Sequence, residues 1–203
     1  MFTKVRTFLL VGVVIAFLVT LWLLLARNCP SAGFALTSRA RSLHHLKNRT
    51  AFPQDSDFDL GITLSKLLQP GDDTNRWSTD RAAKIQGQVL DVAYAGSEAT
   101  NCFSLCRRDI HILVANRKGA AKNEQVVLEV TPNLRDLAAK RGLEWSEQNL
   151  KAQLVGRWCE FEGWLYFDLG HTDQSENTAP HNVTNWRATA WELHPVTKIT
   201  AIK

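Results

Sequence analysis

Residues 108–131 read RDIHILVANRKGAAKNEQVVLEVT, and this stretch decides the fold. Ile110, Ile112 and Val114 fall on one face of an extended chain, with Asp109 and His111 on the other. Such alternation marks a strand with one face buried. Residues 125–131 (QVVLEVT) form a second strand, ended by Pro132, which cannot donate to a ladder.

Working outward, residues 83–95 (AKIQGQVLDVAYA) form an earlier strand with Gly87 at its middle. Residues 133–141 and 146–154 switch to helical spacing, carried by Leu134, Leu137 and Ala138, then Leu150 and Leu154. Residues 157–168 (RWCEFEGWLYFD) form a fourth strand with a bulge expected at Gly163. Residues 187–194 (RATAWELH) and 196–202 make a fifth, bent at Pro195. Three strands, a helical connection and two strands is the order of an OB-like Greek-key barrel. The expected class is therefore mainly β with short helices (α+β). A split β-sandwich or a generic α+β domain would give a similar string.

The barrel accounts for residues 80–203. Residues 8–26 (FLLVGVVIAFLVTLWLLLA) are 19 positions without charge or proline, close to the ~20 that a membrane-crossing helix needs. Lys4 and Arg6 precede them in a short flank (residues 1–7) and Arg27 closes them. A cleaved signal peptide would have a shorter apolar run with a small-residue site close behind. An uncleaved signal-anchor is the reading, with the C-terminal domain on the periplasmic or cell-surface side. Residues 27–79 form a stalk with one short amphipathic helix, carried by Leu60, Leu64, Leu67 and Leu68 and stopped at Pro70-Gly71.

The chain has 203 residues, 45% of them hydrophobic and 22% charged, which excludes collagen-like and wholly disordered chains. Its formal net charge of +4 invites a nucleic-acid reading, until the charge is located. Residues 80–203 hold 15 Lys+Arg and 15 Asp+Glu, whereas residues 1–79 hold 9 and 5. The excess flanks the anchor, where anionic lipid attracts it. A formally neutral barrel lacks the charge term that dominates nucleic-acid affinity.

Two constellations could carry chemistry. Asp109 and His111, Glu129, and Glu192 and His194 fall on strands two, three and five, which are neighbours in such a barrel, and His171 can approach from the loop before strand five. Imidazoles among carboxylates suit a divalent, Zn-type metal and a metal-activated water. The competing view is a set of half-solvated strand residues. On strand four, Trp158, Glu160, Glu162, Trp164 and Tyr166 share one parity, provided a bulge does not break it. Aromatics beside acids suit a sugar, peptide or cationic ligand better than a phosphate backbone; the competing view is that Trp158 and Trp164 only cover the helices. Cys102, Cys106 and Cys159 leave open a local bridge or one from either loop cysteine to Cys159.

The strings RDIHILVA, VVLEVTP, GWLYFDLGH and RATAWELHPVTKI resemble a family of uncharacterised bacterial exported or membrane-attached domains. The resemblance covers residues 80–203. It implies an OB-like barrel and a bacterial envelope setting, and it brings no activity or catalytic residue with it. Staphylococcal-type nucleases share the barrel, but their paired-Arg and clustered-Asp pattern is missing here. The leading expectation is a membrane-anchored binding domain for a protein, peptide or sugar. The alternatives are a metal-dependent hydrolase using His111, Glu129, Glu192 and His194, and a structural envelope component.

Overall fold

The computed structural model describes residues 2–27 and 29–202, and within the first helix the side chains of Phe8 and residues 11–22. The side chains of the N-terminal basic flank lie outside the described residues. Helix α1 (Phe2–Arg27) contains the apolar run. Among the described residues no helix is long and apolar enough to cross a membrane.

Five strands close into a barrel: β1 (Ala82–Tyr94), β2 (Ile110–Ala115), β3 (Val126–Val130), β4 (Trp158–Phe167) and β5 (Trp191–Ala201). Their order around the barrel is β1-β2-β3-β5-β4. All neighbours are antiparallel except β3 and β5, which run parallel at Leu128 and Leu193. This is an α+β chain built on a closed five-stranded barrel, with OB-like strand order. Ile110, Ile112, Val114, Leu128, Val130, Phe161, Leu165 and Leu193 fill its interior.

The connection between β3 and β4 carries α4 (Pro132–Lys140) and α5 (Glu147–Leu154). Thr131 and Ser146 cap them by accepting from the Leu134 and Asn149 amides, and proline opens the first turn of α4. Leu150 and Leu154 of α5 join the barrel core.

Two strand irregularities fall where the residues demand them. The β4–β5 register shifts on both sides of Gly163, as the bulge reading requires. A Cβ there would lie 2.7 Å from the Pro195 carbonyl oxygen, so the close approach of β5 needs glycine. At Gly87 a Cβ would collide with Val114 and Leu64, so the missing side chain lets β2 and α3 (Leu64–Leu67) pack against β1.

The expected stalk is corrected. Residues 29–79 are folded onto the barrel. Helix α2 (Ser38–Lys47) is capped by Thr37, and Asn48 after it is buried, donating to the carbonyls of Ser31 and Thr100. Arg49 donates to the carbonyls of Thr79 and Leu165. Cys29 is bridged to Cys102. The segment carries little apolar periodicity because polar contacts and a covalent bond hold it, and a hydropathy pattern records neither. The expected helix across Leu60–Leu68 shrinks to α3, capped by Thr63, and Leu60 is left exposed. Further on, Asp73 is fully buried and pins its loop to the residues just before β5, accepting from the Thr189 hydroxyl and the Ala190 amide.

Candidate functional site

The interior alternation of β2, β3 and β5 turns their remaining side chains outward, onto one patch of barrel wall. His111 stands opposite Glu129 in the β2–β3 register, and its Nε2 lies 3.1 Å from Glu129 Oε1. On β5, His194 Nδ1 lies 3.1 Å from Glu192 Oε1 and 3.3 Å from Glu129 Oε2. Asp109, immediately before β2, approaches the other edge of that ring, with its Oδ2 4.0 Å from His194 Nε2.

The structure therefore brings together five of the six residues expected in this group. His171 joins only through intermediaries. Its Nδ1 meets Asp168 Oδ2 at 2.5 Å, and Arg187 spans Asp168 (2.5 Å) and Glu192 (2.9 Å). Sequence reasoning missed Arg187 and Lys47 as members. Arg187 stands out only as a cation in the otherwise small and apolar run before β5, whereas Lys47 carries no local signal.

An outward-facing patch on a barrel would ordinarily be wet, but this one is covered. Asp109, Glu129, Glu192, His194 and Arg187 are each at most 2% exposed. The end of α2 contributes buried Lys47, which pairs with Glu98 at 2.8 Å. The β4–β5 loop contributes Asp168, Arg187 and Trp186, and the Trp186 ring stacks on His111 at 5.9 Å. Tyr166 lies against His194 at 5.5 Å.

Burial and proximity shift the titrations in opposite directions. Burial, together with the Glu129 charge and despite His194, pushes the Asp109 carboxyl up to about 6. Burial would also raise Glu129, but His194 and His111 hold it well below the usual carboxylate range. Burial would lower His111, yet the facing Glu129 carboxylate raises it to about 9. Burial and the neighbouring Glu129 and Asp168 charges raise Glu192. For Asp168, the His171 hydrogen bond and the Arg187 charge outweigh burial and bring it to about 2. Three residues, Asp109, Glu129 and His194, each present a ligand atom within 4.8 Å of the others, which makes them the candidate metal-holding group.

The expected aromatic face on β4 does not form one platform. Tyr166 is buried under Lys47, whose Nζ sits 5.6 Å from the ring centroid. Trp164 donates from Nε1 to the Ala51 carbonyl and lies under Arg49. Glu162 pairs with Lys84 and Lys198, and Glu160 accepts from Gln86. Trp158 stands half-buried at the far end of the strand, opposite Gln88. The N-terminal segment occupies the face that would have been open.

The expected bridges among Cys102, Cys106 and Cys159 are also corrected. Cys102 bonds Cys29, whose distance in sequence gave no hint of pairing, leaving Cys106 exposed and Cys159 buried in the core.

The large clefts lie away from the charged cluster. One of about 870 Å³ opens between residues 68–72, 116–124 and 176–188, at one end of the barrel. No local sequence pattern marks it, because three separate loops build it. No protein-family model matches this chain, and no curated protein does.

Proposed function

We propose that this chain is a membrane-anchored envelope protein whose OB-like barrel binds a peptide, sugar or protein ligand in the cleft between residues 68–72, 116–124 and 176–188. The cleft carries the reading. Asn116, Asn123 and Asn177 supply amide donors and acceptors, Arg117 and Glu124 supply both signs of charge, and Leu68 and Pro70 supply apolar wall. That mixture matches the alternating polar and apolar surface of a peptide or sugar. Asp72, Glu124 and Glu176 in the same lining disfavour a phosphate backbone.

The hydrolase alternative needs a substrate path to His111, Glu129, Glu192 and His194. The α2 end and the β4–β5 loop lie over them, and the side chains are occupied with one another.

Anchoring is supported by the 19 uncharged residues within α1, which as a helix would span about 28 Å. Its described apolar side chains, Phe8, Val13 and Phe17 among them, are exposed, and a bilayer would relieve their contact with water. A disulfide beginning two residues beyond α1 fits an oxidising compartment on the far side. The exposed Cys106 thiol reports the side directly. In intact cells a membrane-impermeant maleimide should label it without lysis, and protection until lysis would reverse the topology.

Binding is tested on the full chain in detergent, with N-acetylglucosamine oligomers and a random heptapeptide library as separate probes. One class should bind, and Asn116→Trp and Asn123→Trp, which fill the cleft from exposed positions, should abolish it. Binding of neither class, or binding unchanged in both variants, would remove the cleft as the site.

A further inference from the structure

We infer that Asp109, Glu129 and His194 form a buried divalent transition-metal site, of the zinc type, that ties β2, β3 and β5 together beneath α2. The inference concerns the covered cluster and is independent of the ligand cleft.

Each of the three residues has an atom that the protein itself leaves without a hydrogen bond. His194 Nδ1 is matched to Glu192 Oε1 at 3.1 Å, while His194 Nε2 is buried and unpartnered. Glu129 Oε1 is matched to His111, while Oε2 is buried with no hydrogen bond, its nearest ionic neighbour being His194 Nδ1 at 3.3 Å. Asp109, 1% exposed, has no partner for either oxygen. A native fold rarely leaves so many polar atoms unmet in one place, since each costs roughly 1–3 kcal/mol.

The spacing identifies what would satisfy them. His194 Nε2 and Asp109 Oδ2 are 4.0 Å apart, too far for a hydrogen bond, which spans about 2.7–3.2 Å. Two metal–ligand bonds of about 2 Å at a tetrahedral angle set their ligand atoms about 3.3 Å apart, so a bound ion would draw these two side chains slightly together. The surrounding contacts have the form that metal sites use. A ligating histidine ordinarily donates its second ring N–H to a carboxylate, which fixes the tautomer and leaves the other nitrogen's lone pair for the ion. Glu192 is placed to accept from Nδ1, and Arg187 Nη1 holds Glu192 in turn at 2.9 Å.

Charge points the same way. Glu98, Asp109, Glu129, Asp168 and Glu192 face two permanent cations, Lys47 and Arg187. His111 adds a further positive charge beside Glu129, so a dication at the three free atoms would meet an excess of about two negative charges. One imidazole nitrogen with two carboxylates suits zinc or manganese better than calcium or magnesium, which prefer all-oxygen ligands. Because the group lies on the covered face, the ion would be structural.

The test uses the full chain in detergent with a Cys106→Ser background, stripped with chelator and reloaded with Zn²⁺ alone, then with Mn²⁺ or Ca²⁺ for comparison. Elemental analysis after gel filtration should find one zinc or manganese per chain and no retained calcium. Asp109→Asn and His194→Gln should each lower retained metal at least tenfold while keeping the far-ultraviolet circular dichroism of the parent. In chelator Asp109→Asn should melt at or above the parent, because it removes an unpaired buried charge, and in zinc it should melt below. Should either ligand variant fail to fold, Glu192→Gln and His111→Gln keep all three ligands and should weaken zinc affinity about 10–100-fold. A parent chain that retains no zinc or manganese overturns the site. So do ligand variants that retain as much as the parent, or outer-contact variants with unchanged affinity.

Discussion

Arg187 and Glu192 meet through Nη1 and Oε2 at 2.9 Å, in a place where neither side chain touches solvent. The same guanidinium reaches Asp168 with its other nitrogen. Removing the cation strands two carboxylates in a medium that cannot solvate them. Arg187→Met should therefore destabilise the fold by about 3–5 kcal/mol, read by urea unfolding. Adding Asp168→Asn and Glu192→Gln should recover part of the loss, because the stranded charges are then gone. A single variant as stable as the parent would show that Arg187 does not neutralise this pair.

Asp168 sets an acid limit. Its carboxyl is depressed from 3.8 to about 2 in the fold, because the His171 hydrogen bond and the Arg187 charge outweigh burial. A depressed carboxylate stabilises the native state above its unfolded value, and the contribution fades as pH falls through the folded value. About 2 kcal/mol should disappear between roughly pH 4 and pH 2. Thermal melts across that window should show the decline, and Asp168→Asn should flatten it while lowering stability at neutral pH.

Cys29 and Cys102 are joined across 73 positions of sequence. Opening so long a loop restores much freedom to the unfolded chain, so Cys29→Ser should cost about 3–4 kcal/mol. Chemical denaturation with and without reductant checks this. Reductant should lower the parent to the level of the variant and leave the variant unchanged.

Gly87 is a packing constraint. Its missing Cβ admits Val114 and Leu64. Gly87→Ala should destabilise by about 1–3 kcal/mol even though alanine ordinarily suits a strand no worse than glycine. Gly96→Ala, whose new methyl would meet nothing within 4 Å, is the control and should be near neutral by the same denaturation assay.

The barrel was legible in the sequence because its evidence is local. Ile110, Ile112 and Val114 alternate within one strand, Pro132 ends the next, and Gly163 announces the bulge in the strand that carries it. The outward group of Asp109, His111, Glu129, Glu192 and His194 was legible for the same reason, since parity and strand order place it on one wall. Its covering was not. Lys47 and Asn48 reach the barrel through polar contacts to Glu98 and Thr100, about fifty positions away, and no period within α2 encodes them. Trp164 and Tyr166 look like a binding face by parity alone, and residues 47–51 from elsewhere in the chain close it. The cleft escaped notice because each of its three loops is unremarkable by itself.

The bridge at Cys29 also sets a working height. Cys29 follows Arg27, the last residue of α1, by two positions. Two residues reach at most about 7 Å. With α1 in a bilayer, the loop bearing Cys102 must ride within about a nanometre of the helix end, with no slack to swing outward. Such a domain samples a thin layer beside the lipid and leaves the volume beyond unvisited. Under the proposed anchoring, a ligand would meet the domain at the membrane.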